Sequence, residues 1–403
     1  MSSTIFLIPM EHSNNKELEV SYVSKQIDTD IITEAKPHTI KKFELIERYV
    51  DEWARKILGY NGKDGRNGSK GVIYIDCMCN SGVYLDEKRN LINGTALRVA
   101  KKLNDIITNY PGKNAILIFN DISEQRIDHL KSEIEKANLT NIQVVYRSED
   151  CDSFLKGLDL DEYKRKFNTL LLYDPYKAAI DWDAVTPFLN IWGEVIINHM
   201  VSDTYRGASQ AKKKDVIVRY TETYQEDIAT IIKLGKNKYQ LNDAIIAIIN
   251  KRKTGSPQNK YIASFPFFTR TNGLVYNLIH CCSNVEGIKL FKRVAWKTFG
   301  DKSSLKNTHG NELQLQLDLS GDGVVDSPTD EDCYFIKDVA KYIYNKYKYD
   351  NPLYLKTIYA DLDEHPVFPS DGYKNDIKDA LRSTYGAEFH RDGTVKFSTA
   401  KGV

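Results

Sequence analysis

The sequence predicts an α/β protein: a mostly parallel sheet with helices on both faces, closed by an antiparallel hairpin, and a smaller helix-rich unit behind it. Three observations predict this. Short apolar runs alternate with amphipathic helical patterns between residues 71 and 199. Two more apolar runs then flank "TNG", the signal of a tight hairpin turn. The tail after residue 330 reads as three helical patterns and two short strands around "DG".

Residues 1–35 are expected to be an N-terminal extension. In "PHTIKKFELIERYVDEWARKIL", Phe43, Ile46, Tyr49, Val50, Trp53 and Ile57 recur at helical spacing. A polar, Gly-rich connector follows. The strand candidates are "GVIYID", "NAILIFND", "NIQVVYRSED", "FNTLLLYDPY" and "GEVIINHM", with helical "GTALRVAKKLNDIITNY" and "EQRIDHLKSEIEKANL" between the first three. Continuous apolar strands with helices between them indicate a parallel sheet buried on both faces. Residues from about 203 to 258 interrupt the alternation as a helical insertion. The hairpin "KYIASFPFFTR"/"GLVYNLIHCCS" and the helix "GIKLFKRVAWKTFG" complete a domain over residues 36–300. A polar linker (301–330) and a unit over 331–403 resembling a winged helix follow.

Composition narrows the class. The 403 residues are 41% hydrophobic and 28% charged, with a net charge of +1. That is an ordinary globular balance, so any nucleic-acid surface has to be a local patch. No apolar run approaches the roughly 20 residues that span a bilayer. The six cysteines show no zinc-like spacing, and no metal site is expected. "DLSGDGVVDSPTD" places Asp318, Ser320, Asp322 and Gly323 as in a calcium loop, but Thr329 stands where the bidentate carboxylate belongs. It reads as linker. A cytoplasmic, reduced protein is expected.

Three loops carry candidate chemistry. In "DCMCNSGVY", Asp76 closes the first strand, Asn80 stands where a first glycine would, and Gly82 supplies the second. Asn is the non-glycine residue that best tolerates the left-handed conformation, so the turn survives the exchange. Asn120 and Asp121 end the second strand, where an acidic group accepts from ribose hydroxyls; the same Asp also serves as a helix cap. After the third strand, Glu149, Asp150 and Asp152 stand where an adenine amino group would lie. At the end of the fourth, "LLLYDPYKAAIDW" holds Asp174, Pro175 and Tyr176. This resembles the D/N/S-P-P-Y/F loop of amino-methyltransferases with one proline missing; Asp174 would be the acceptor, Pro175 the brace and Tyr176 the stacking platform. Five α/β strands followed by an antiparallel hairpin is the element order of the class I methyltransferase (Rossmann-like) sheet. Local basic patches are Lys212, Lys213 and Lys214, with "NKRK", and Lys374, Lys378 and Arg382 at spacing four.

With these residues in place, the chain from about Lys36 to Gly300 resembles the three-Cys-motif partner family. "YIDCMCNSGVY" resembles its D-x-F-A-G-x-G-x-Y, "NGTALRVA" its G-S-P-x-x-A-L, and "LLYDPYKAAIDW" its F-L-D-P-F-G…W. Asp76, Gly82, Tyr84, Gly94, Asp174, Pro175 and Trp182 match; Asn80, Thr95, Ala96, Tyr176 and Lys177 depart. The resemblance implies a domain binding S-adenosylmethionine through the loop of Asp76, Asn80, Gly82 and Tyr84, with Asp174, Pro175 and Tyr176 at the reacting end; the positions of Asn120, Asp121 and Asp150 at the strand ends add them to the expected cofactor contacts. It also implies a three-Cys-motif protein as partner, and the winged helix points to DNA or RNA. Two readings compete: an S-adenosylmethionine-dependent methyltransferase, and a non-catalytic scaffold that keeps the fold. A dehydrogenase is disfavoured by the missing G-x-G-x-x-G and the terminal hairpin.

Overall fold

The computed structural model describes residues 30–62, 68–159, 166–175, 179–255, 260–306, 332–350 and 352–397. Most of the N-terminal extension, Tyr176, Lys177 and the calcium-like stretch 318–330 therefore lie outside the described residues.

Seven strands form one sheet: β1 (Gly71–Asp76), β4 (Asn114–Asn120), β5 (Gln143–Arg147), β6 (Phe167–Tyr173), β7 (Gly193–His199), β8 (Tyr261–Phe268) and β9 (Leu274–Cys282). Their order is β5-β4-β1-β6-β7-β9-β8. The pairs from β5 to β7 are parallel, and β9 runs antiparallel to both neighbours. The chain thus winds outward from β1 to one edge, returns to β6, and winds out to the other. It closes with a hairpin that inserts β9 between β7 and β8. This Rossmann-like order, with its reversed strand next to the edge, is the arrangement expected from the element sequence.

Alternation along the strands separates two cores. On β1, Val72 and Tyr74 face one cluster and Ile73 and Ile75 the other, which Cys77 joins just past the strand. Helices α1 (Pro37–Leu58), α2 (Thr95–Ile107) and, later, α10 (Val285–Thr298) cover the first face. Helices α4 (Cys151–Gly157), α5 (Trp182–Leu189) and α9 (Lys238–Arg252) cover the second. Helix α3 (Glu124–Lys136) lies beside α2 and β5. The insertion is helical as expected: α6 (Val201–Gln210), α7 (Lys214–Tyr224), α8 (Ile228–Gly235) and α9. A small hairpin of β2 (Val83–Leu85) and β3 (Leu91–Asn93), between β1 and α2, was not foreseen; strands of three residues are too short for alternation to mark.

The C-terminal unit contains α11 (Ile336–Tyr347), β10 (Leu353–Tyr354), α12 (Leu355–Glu364), α13 (Lys374–Tyr385), β11 (Glu388–Phe389) and β12 (Thr394–Lys396). Its three strands pair in the order β10-β12-β11. The three helices and the terminal strands match the sequence reading, and the two-residue β10 is an addition to it. The unit docks on α10. Lys292, fully buried, donates to the carbonyls of Leu362 (2.5 Å), Asp363 (3.0 Å) and His365 (2.9 Å), which close α12. Trp296 Nε1 donates to Val367 O at 2.9 Å, and one hydrophobic cluster runs from α1 and α2 through α10 into the unit. No helix among the described residues is long and apolar enough to cross a membrane.

Candidate functional site

β1 is buried along its whole length, and its end delivers the loop 76–84 to the carboxyl edge of the sheet. Asp76 accepts from Met78 N–H at 3.3 Å. Burial, and then the negative charge of Asp174, push the Asp76 carboxyl up to about 7. Asn80 adopts φ 57°, the left-handed conformation its identity suggested, and its side chain accepts from Ser81 N–H at 2.6 Å. Gly82 follows at φ 77°, where a Cβ would stand 2.4 Å from Leu130 Cδ1. Tyr84 turns inward: its ring packs on Phe43 at 4.8 Å and fills the space a Cβ on Gly94 would need.

The end of β4 ties this loop down. Cys79 N–H donates to Asn120 O (2.9 Å), and Asn80 N–H to Asp121 Oδ2 (3.1 Å). The Asn120 side chain is wholly buried. Its amide donates to Cys77 O and Glu149 O at 3.0 Å and accepts from Glu149 N–H at 3.1 Å. It is a clamp joining the loops after β1 and β5. Asp121 Oδ1 also accepts from Ser123 N–H at 3.0 Å, and Asp150 caps α4 through Ser153 N–H at 3.1 Å.

A cleft of about 410 Å³ opens beside these loops at the carboxyl edge. Among the candidate residues of the sequence reading, Asn120, Asp121, Asp150, Asp152 and Pro175 line it. Asp76, Asn80, Gly82, Tyr84 and Asp174 are not among its described lining residues. Cys77, Met78, Ile122, Arg126, Cys151, Tyr173, Ala179 and Arg219 line it without having been singled out. Ile122 is 75% exposed, an unusual state for an isoleucine at the mouth of a cleft. Tyr173 donates to Asp152 Oδ1 at 2.9 Å, and burial raises the Asp152 carboxyl above its usual range. Arg219 arrives from α7, next to the basic stretch Lys212–Lys214, which is exposed.

Next to Pro175, Asp174 is held from two sides. Lys42 of α1 forms an ion pair with Oδ2, and Asn198, near the end of β7, donates to Oδ1 at 2.5 Å. Lys42 is only 7% exposed and lies over the Tyr276 ring at 5.3 Å. The sequence reading missed Lys42 and Asn198. A signal for the lysine exists: 42, 46, 49 and 53 form one helical stripe, and Lys42 is the charged member of an otherwise apolar set. Tyr74 Oη and Asn198 Oδ1, on the same face of the sheet, are buried without a hydrogen-bond partner among the described residues.

The second basic group lies elsewhere. Lys374, Lys378 and Arg382 run along α13 as expected, with Lys374 over the Tyr359 ring (5.0 Å) and Lys378 and Arg382 over Phe389 (5.8 and 4.9 Å).

No protein-family model and no curated protein matches the sequence. Among solved structures the chain is similar to WbdD, a bifunctional kinase-methyltransferase, at 14% identity over 60% of this chain and 39% of that one, TM-score 0.31. It is also similar to an rRNA methylase from Streptococcus thermophilus, at 12% identity over 59% and 93% of the two chains, TM-score 0.28. A third is a putative methyltransferase from Streptococcus mutans in complex with SAH, at 12% identity over 58% and 98%, TM-score 0.29. The chain spans about two fifths of the length of WbdD. The fold assignment rests on the chain's own strand order and sense, which are those of a Rossmann-like sheet with one antiparallel strand next to its edge.

Proposed function

We propose that the chain binds S-adenosylmethionine at the carboxyl edge of its sheet and transfers the methyl group to an acceptor held beside Asp174. The observation that carries this reading is the cleft where strand order reverses, at the ends of β1, β4 and β6. Ligands of open α/β sheets bind at that reversal. Asp121 and Asp150 offer carboxylate oxygens to the ribose and adenine ends, and exposed Ile122 offers an apolar face to a base. Asp76, Asn80, Gly82 and Tyr84 shape the loop against which the amino-acid end would lie. Methyl transfer draws most of its acceleration from holding the acceptor in line with the sulfonium.

The tail is read here as a winged helix, on its helix-strand-helix-helix-strand-strand order. It would contact nucleic acid through Lys374, Lys378 and Arg382, with Lys212–Lys214 as a second phosphate-binding patch. A three-Cys-motif protein is the proposed partner, from the sequence resemblance alone, and the cytoplasm the proposed compartment, from the cysteine pattern and the lack of a long apolar run.

Calorimetric titration of the purified chain with S-adenosylmethionine and S-adenosylhomocysteine tests the cofactor reading. Saturable binding, lost in Gly82→Trp, is expected. A folded protein that binds neither refutes it and leaves the scaffold reading, which one observation favours: both oxygens of Asp174 are already engaged by the protein.

A further inference from the structure

We infer that the acceptor corner of this site takes a hydroxyl oxygen and rejects an amine, with Lys42 as the group that makes the choice. The inference rests on the cofactor reading above and names the acceptor class of that same site.

The D-P-Y stretch of the sequence raises the expectation of an amine acceptor, for which Asp174 would receive the amine hydrogens. The structure gives Asp174 other partners. Its two oxygens are taken by the Lys42 ammonium and the Asn198 amide. Lys42 is buried while Asp174 is partly exposed, and separating the pair strands the ammonium away from water, so an incoming amine does not displace Lys42 cheaply. Charge points the same way. An amine nucleophile becomes cationic as the new bond forms, and here it would do so against a fixed ammonium. A hydroxyl oxygen becomes anionic as it loses its proton, and the same ammonium then stabilises it.

Hydrogen-bonding capacity agrees. A hydroxyl donates once and accepts twice. Asn198 Oδ1 lacks a donor, and Tyr74 Oη lacks any partner among the described residues. Both lie on the α1 face with Asp174, and Tyr74 is close enough to Asp76 and Asp174 to feel their charge. Neither atom needs a second cation. In the step itself, the sulfonium S–CH3 bond breaks, its electron pair stays on sulfur, and a C–O bond forms. The hydroxyl proton leaves to solvent while the Lys42 ammonium holds the developing oxyanion, and Asp174 stays paired with Lys42 and Asn198. Lys42 remains charged throughout and touches the reacting oxygen.

The test needs no knowledge of the substrate. Sinefungin is an S-adenosylmethionine analogue in which a carbon bearing a primary amine replaces the methyl-bearing sulfonium, so it delivers an ammonium to the acceptor corner. S-adenosylhomocysteine delivers nothing there. Calorimetry on the full chain gives the ratio of their dissociation constants. The wild type should bind sinefungin about tenfold or more weakly than S-adenosylhomocysteine, and Lys42→Arg should keep that order. Lys42→Met, which frees the Asp174 carboxylate, should reverse it. If that variant fails to fold, Lys42→Met/Asp174→Asn leaves a neutral corner, and the ratio should fall to about one. Sinefungin binding as tightly as S-adenosylhomocysteine in the wild type, or a ratio unmoved by loss of Lys42, overturns the inference. An N-methylated product from any acceptor does so as well. Failure of both ligands to bind removes the cofactor reading itself, an outcome separate from an unmoved ratio.

Discussion

Asp76→Asn changes one atom and tests whether burial governs the opening loop. The wild-type carboxyl titrates near 7 in the folded chain against 3.8 when free. A carboxyl whose folded value is raised binds its proton more tightly folded than unfolded. Stability is therefore unaffected below about pH 3.8, falls as pH rises from there toward 7, and stays reduced above. The gap is roughly three pH units at about 1.4 kcal/mol each, so the ionised form costs the fold about 4 kcal/mol at pH 8. Asparagine mimics the protonated acid, and its Oδ1 still accepts from Met78 N–H. The variant and the wild type should thus be equally stable at pH 4. By pH 8 the variant should lead by up to about 4 kcal/mol, most of the gain appearing between pH 5 and 7. Denaturant unfolding at a series of pH values, followed by tryptophan fluorescence, measures this. Parallel stability curves across the range would refute the argument, because they would mean that the carboxyl is solvated or paired in the native loop.

Other outcomes follow from the same geometry. Asn80→Gly should leave stability within about 1 kcal/mol of wild type, whereas Asn80→Val, β-branched at φ 57°, should lose about 1–2 kcal/mol in thermal or denaturant unfolding. Gly82→Ala should be destabilising through both its φ of 77° and the approach to Leu130, and S-adenosylhomocysteine titration should register a weaker site. Lys292→Met leaves three carbonyls at the end of α12 without their donor and should cost about 2–3 kcal/mol, with faster proteolysis of the C-terminal unit as the readout. Asn120→Leu keeps volume but removes the clamp between the loops after β1 and β5. Hydrogen exchange at Glu149 N–H, which donates to Asn120 Oδ1, should accelerate.

The parts of this molecule that were readable in advance are those governed by local pattern. Continuous apolar runs such as "NAILIFN" announced strands buried on both faces, and the "TNG" turn announced the pair β8 and β9. Asn80 announced a left-handed turn because few residues tolerate one. The hairpin of β2 and β3 escaped because three residues carry no period, and the contact that goes with it, Tyr84 of β2 against Gly94, joins positions ten apart. In the candidate site, loop positions were legible but partners were not. Asn120 read as a ligand contact, yet its buried amide is spent on two backbone segments. Lys42 and Asp174 are separated by 132 positions, and only the fold brings them together. The oddity of a lysine in an apolar stripe was visible, but no local rule names the carboxylate it would find.

Lys292 has a consequence for how the two parts of the chain work as one object. Because a side chain from α10 closes α12, the C-terminal unit is anchored by a bond network as well as by its covalent tether. Backbone scission between residues 307 and 331 should therefore yield two fragments that travel together on a sizing column. A molecule gripped by the basic face of α13 would meet the cleft at a set offset, so the fold would act as a ruler between the place that holds and the place that reacts.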